Sequence, residues 1–135
     1  MYKRVVVPLD GSALAESILQ FILQIAGPLD FEVTLVRVVP ADEPGPAVAE
    51  AGAYLERVAA QLAGQGVRLR TEVRRGDAAE QIVTAAREVA ADVIAMTTRG
   101  RGGLGRLVMG SVATAVLQHA NIPMLLFRSA VRRPA

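Results

Sequence analysis

The stretch richest in possible chemistry is residues 97–113, T-T-R-G-R-G-G-L-G-R-L-V-M-G-S-V-A. It holds four glycines in its first nine positions and, over its length, three arginines and no acid. Glycines let a backbone approach an anion and turn its amides inward. A Gly-Ser pair opening a helix adds unpaired N–H groups, the positive end of the helix dipole and a hydroxyl donor. Arg99, Arg101 and Arg106 can add charge. The same composition also makes a plain solvated turn, and composition alone leaves both readings open. A Walker loop is excluded, since it needs G-x-x-x-x-G-K-[ST] and the only lysine is Lys3. Gly100 to Gly105 spells G-x-G-x-x-G, but after the fourth predicted strand and without an acidic residue about 20 positions on, so it is no dinucleotide fingerprint.

Asp10-Gly11-Ser12, directly after the first apolar run, is the second candidate. Its carboxylate either caps the following helix or faces a ligand. Other chemistries find little support. With no cysteine and a single histidine, His119, neither a thiolate metal site nor a histidine cluster can form, and His119 reads as a structural residue flanking an apolar helix face. Glu80 and Glu88 lie eight apart on one predicted helix, and nothing aims them at a shared cleft, so no general acid-base pair is nominated. A net charge of +2 and 4% aromatic residues argue against a nucleic-acid surface. No apolar run approaches the ~20 residues of a membrane span, and the apolar stretch before Asp10 is too short for a signal peptide. The expected location is cytoplasmic, with no nucleic-acid or membrane partner.

The elements that must position these loops follow from apolar periodicity. Strands are expected over Tyr2 to Leu9, Phe31 to Val39, Val67 to Arg74, Asp92 to Thr97 and Met124 to Phe127. Four helices alternate with them. The first carries a stripe from Leu14 to Ile25 and stops at Gly27-Pro28. The second buries Ala51, Leu55, Val58 and Leu62 after a Pro-rich, mobile loop. The third is capped by Asp77 with Glu80 three residues on, and the last starts near Ser111, itself an acceptable cap. Strict alternation implies a parallel sheet with right-handed crossovers. The third strand alternates apolar and charged residues, as an edge strand with one wet face does. We therefore expect a single doubly wound α/β domain over 1–135 with helices on both faces of a five-stranded parallel sheet, and a frayed tail over 129–135. Ligands of such folds bind outside the carboxyl ends of the strands, where Asp10-Gly11-Ser12 and the 97–113 loop both fall.

V-V-V-P-L-D-G-S at the start, R-G-D near position 76, the 97–113 segment and the closing P-M-L-L-F-R together resemble the universal stress protein family over essentially the whole chain. Nucleotide-binding members carry G-x-x-G, nine residues, then G-[ST]. Here the frame falls on Thr97-x-x-Gly100 and Gly110-Ser111, with Thr97 in place of the first glycine. The resemblance implies the strand order 3-2-1-4-5, which sets Asp10-Gly11-Ser12 beside the 97–113 loop, and an adenine-nucleotide (ATP or AMP) binding stress-response regulatory or signalling protein, with Mg or Mn accompanying the nucleotide. It implies that Asp10 meets the ribose or adenine side, that Val38 and Met96 flank the adenine, and that Gly100, Gly110, Ser111 and Val112 hold phosphates, with Pro8, Leu9, Thr97 and Arg99 completing the set. No catalytic residue is implied. Two alternatives stay open: a homodimeric scaffold without nucleotide, favoured by Thr97, and a slow ATPase or phosphotransferase. The apolar strand Met124 to Phe127, last in the sheet, is the expected homodimer edge, and the downstream protein partner is not specified.

Overall fold

The computed structural model describes residues 4–29, 31–99 and 110–129. Five strands, β1 (Arg4–Pro8), β2 (Glu32–Val39), β3 (Arg68–Arg75), β4 (Val93–Arg99) and β5 (Met124–Ser129), form one sheet in the order β3-β2-β1-β4-β5. Every neighbouring pair is parallel. The helices are α1 (Ala13–Glu16), α2 (Ile18–Leu29), α3 (Gly45–Leu62), α4 (Ala78–Glu88) and α5 (Ser111–His119).

The central strands read as β-branched runs because both of their faces are covered. Val5 and Val7 of β1 join Val33 and Leu35 of β2 and Ala95 of β4 in a core beneath α2 and α3, with Ile18, Leu19, Ile22, Leu55 and Val58. Val6, Val36, Ile94 and Met96 point the other way, against Ile82, Val83 and Ala86 of α4 and Val116 of α5. Full burial of each such side chain stabilises by roughly 1.5–3 kcal/mol. Helices change face between β1 and β4, so the two strands diverge in their connections there and open a crevice at their carboxyl ends.

Five local expectations are corrected. The first helix is two, α1 and α2, and α2 continues through Gly27-Pro28 to Leu29, because proline's fixed φ is itself helical and in a last turn costs only one bond. The Pro-rich loop is shorter than expected. Pro44 is the N-cap of α3 and a proline occupies its opening turn, where the missing N–H has no helical partner to lose. The cap of α5 is Gly110, not Ser111, which is the first helical residue. His119 is exposed in the last turn of α5 rather than flanking its buried face. Ser129 pairs with Arg99 as the end of β5, so strand structure reaches into the expected tail, whose remainder lies outside the described residues. Asp77 caps α4 as expected, accepting the Glu80 N–H at 3.0 Å, and β3 is an edge strand.

Candidate functional site at the β1–β4 switch point

The chain leaves β1 with Leu9 buried and its N–H donating to the Val36 carbonyl at 2.8 Å, which pins the turn to β2. Asp10 then emerges at the surface. Its Oδ1 accepts the Ser12 N–H at 2.9 Å and the Ser12 hydroxyl at 2.5 Å. Ser12 Oγ in turn accepts the Ala15 N–H at 3.1 Å. Ser12 thus caps α1 and Asp10 stands one step behind, orienting the capping hydroxyl, a division that the bare sequence does not resolve. Gly11 makes the turn with φ of +88°, and a Cβ there would lie 2.3 Å from Arg37 Nη1. The left-handed backbone conformation is what favours glycine here, and a side chain would also have to displace the Arg37 guanidinium. Partial burial pushes the Asp10 carboxyl up, but the two Ser12 hydrogen bonds, with a smaller contribution from the Arg37 guanidinium, outweigh it and hold the group below its ordinary range. Asp10 is ionised at neutral pH.

A cavity of about 640 Å³ opens between this turn and the start of α5. That is within the roughly 300–1,000 Å³ of small-molecule sites. Val36 and Val38 of β2, Ile82 of α4 and Met96 of β4 supply apolar wall, and Asp10, Ser12, Thr97 and Ser111 supply polar groups. Pro8, Leu9, Gly110 and Val112 also line it. Nine of the eleven residues singled out from the sequence are thus brought to one cavity. The other two are Arg99, whose backbone closes β4, and Gly100, which with 101–109 lies outside the described residues. Ser12, which the sequence reading placed in the candidate turn without a ligand role, lines the cavity too, and that reading missed Ala15, Val36, Ala78, Ile82 and Ala113. Val36 was legible in principle, being two residues from Val38 and so on the same face of β2.

Gly110 has an ordinary extended φ of −66° and accepts no strain argument for glycine. A Cβ there would meet no atom of the described residues within 4 Å, so among them the absent side chain leaves open space at the cavity. Among the described residues no side chain caps α5, and its first N–H groups, from residues that line the cavity, are presented without an intrahelical partner. Among the described residues no group of three or more His, Cys, Asp or Glu is arranged to hold a metal ion. No helix of the described residues is long and apolar enough to cross a membrane.

A second cavity, of about 480 Å³, meets the first at Asp10 and Val38. Side chains alternate along β2, so Arg37 points toward α3, opposite to Val36 and Val38. Its guanidinium lies 5.0 Å over the Tyr54 ring. The Tyr54 hydroxyl donates to Glu16 Oε2 at 2.7 Å. Burial, then that hydrogen bond, pushes the phenol far above its ordinary range, so Tyr54 remains a donor at any physiological pH.

Comparison with known proteins agrees with this architecture. The model of the universal stress protein family matches residues 1–128. The universal stress protein MJ0531 of Methanocaldococcus jannaschii is 32% identical over 95% of this chain and 83% of its own length. The chain spans only 40% to 51% of the length of three further curated relatives. Among solved structures, the hypothetical protein MJ0577 superposes with a TM-score of 0.81 at 25% identity, covering 98% of this chain and 99% of that one. A universal stress protein from Archaeoglobus fulgidus, solved in complex with dAMP, has the same fold, with a TM-score of 0.74 at 24% identity over 93% of this chain and 97% of its own. With the family match over nearly its full length and the switch-point cavity in place, the chain belongs to the universal stress protein family.

Proposed function

We propose that this protein binds an adenine nucleotide, ATP or AMP, in the cavity between the β1–α1 turn and the start of α5, as a regulatory or signalling module of the stress response. The observation that carries the reading is the division of that cavity. One part is an apolar slot of Val36, Val38, Ile82 and Met96, of the kind that accepts a planar base. The other is a polar mouth with an ionised carboxylate and the uncapped N-terminus of α5. Asp10 has a lone-pair-bearing oxygen beyond the one bonded to Ser12, suited to the vicinal hydroxyls of a ribose. The first N–H groups of α5 and the Ser111 hydroxyl suit a phosphate. A divalent ion, Mg or Mn, would be carried by the phosphates, Asp10 being the acidic residue at the cavity. The dAMP seen in the Archaeoglobus fulgidus relative is of the same ligand class.

Thr97 favours a second reading, a scaffold that has lost the nucleotide, since a β-branched side chain lines the cavity where the family's motif has glycine. The two readings separate on mass spectrometry of whatever the freshly purified protein releases on denaturation. An adenine nucleotide near one equivalent is expected. Its absence, together with no thermal shift on adding millimolar ATP or AMP, leaves the scaffold.

A further inference from the structure

Arg37 is held in place near the Asp10 carboxylate, which it helps to keep ionised, yet its hydrogen-bond donors are unused among the described residues. Stacking on Tyr54 fixes its plane, Glu16 anchors Tyr54, and the glycine at position 11 lets the guanidinium lie against the backbone of the β1–α1 turn. Within the described residues none of its N–H groups makes a hydrogen bond and it forms no salt bridge. An arginine presents five donors in a rigid fork matched to phosphate and carboxylate. One that is half-buried, oriented and unpaired in a cavity wall is a fork awaiting an anion. Arg57 of α3 lines the same cavity, exposed and likewise without an ion pair among the described residues.

The position of this cavity defines what can reach it. It lies across the carboxyl edge of the sheet from the nucleotide cavity, and the two meet at Asp10. If the sugar hydroxyls of a nucleotide face Asp10, the hydroxyl edge of that sugar is directed toward Arg37. Glu43 and Glu50 also line the second cavity, both exposed. With ionised Asp10, which lines the cavity too, they oppose a free anion arriving from solvent, so the group that reaches Arg37 is one tethered to a ligand already bound at Asp10.

From this arrangement we propose that the second cavity is a subsite for a phosphoryl group carried on the 2′- or 3′-oxygen of the bound adenine nucleotide, with Arg37 as its principal donor and Arg57 as a supporting charge. The inference rests on the nucleotide reading given above and deepens it, naming sugar-phosphorylated adenine nucleotides as the preferred ligand class.

Titration calorimetry of the full chain with AMP, adenosine 2′,5′-bisphosphate and adenosine 3′,5′-bisphosphate tests it. At least one bisphosphate is expected to bind about ten-fold more tightly than AMP, the effect of one hydrogen bond to a charged group. In Arg37→Gln the ratio of the two affinities falls to near one. In Arg57→Gln, an exposed helix position where folding is not at stake, the ratio falls by a smaller factor. Equal binding of all three nucleotides by the unaltered protein would overturn the subsite alone, as would a preference that survives in an Arg37→Gln variant with unchanged melting temperature. Should Arg37→Gln unfold, a ratio unaffected by Arg57→Gln in 50 mM salt as well as in 200 mM salt would count against the subsite. Binding of none of the three would overturn the nucleotide reading, and the subsite with it.

Discussion

Asp10 works as a ligand group because its own turn has already fixed its charge. Both Ser12 donors converge on Oδ1, and the net effect is a carboxyl held below its ordinary range. A group whose native value lies below its unfolded one adds stability that is present above the unfolded value and is lost as pH falls through the native one. The Asp10 contribution to nucleotide affinity, read as the ratio of the affinities of the unaltered protein and Asp10→Asn so that the ligand's own phosphate titration at about pH 6 cancels, should therefore be constant around neutral pH and fall only in the acid range, below the ordinary carboxylate value. Asp10→Asn should bind more weakly at neutral pH and lack that acidic decline. Affinity measured by equilibrium dialysis against pH for the two proteins checks this, and a midpoint near pH 6 in the ratio of the two affinities would assign the effect to another protein group.

Among the elements, β4 bears most directly on the ligand. It runs to Arg99, so Thr97 sits inside the ladder, paired with Phe127, while also lining the cavity. Thr97→Gly removes a branched side chain from the cavity wall and from a strand that favours it. Tighter nucleotide binding is expected together with a stability loss of roughly 0.5–1 kcal/mol. Calorimetric affinity and a denaturation midpoint on the same preparation check both halves, and weaker binding would make Thr97 a contact residue. The strands were legible from the sequence because burial on both faces leaves unbroken apolar runs, while their order and the frame from Thr97 to Ser111 were legible only through the family resemblance. Helix ends were less so: Pro28 and Pro46 are breakers by type, yet α2 and α3 place them in end turns where a proline is tolerated. The Arg37–Tyr54 contact left no trace in the sequence, since residues on β2 and α3 meet only through tertiary packing.

At the scale of the whole molecule the sheet has two unlike edges. On β3, Arg70 pairs with Glu32, and Arg74 pairs with Glu72 and Glu88. This charged lattice discourages strand addition. On β5, residues Met124 to Phe127 carry no charge. We expect that edge to pair with a second copy about a two-fold axis, which closes without propagating. The Ile94 N–H donates to the Pro123 carbonyl at 3.0 Å. Because ladder bonds alternate along an edge strand, the Leu126 N–H faces away from β4. Leu126→Pro then removes an outward donor while sparing the sheet. Sedimentation should show a dimer for the unaltered chain at tens of micromolar and a shift toward monomer in the variant. A monomer in the first case, or an unchanged dimer in the second, would move or remove the interface.

The central claim is that nucleotide phosphate lies against the start of α5, in the space that Gly110 leaves open. Gly110→Val is the sharpest probe, because the backbone there is extended and a Cβ meets no atom of the described residues within 4 Å, so the cost to the fold is that of a poorer helix N-cap residue. Calorimetric titration with Mg-ATP and AMP should give a saturable isotherm for the unaltered protein and none for Gly110→Val that is folded by circular dichroism. Equal affinity in the two would contradict the account.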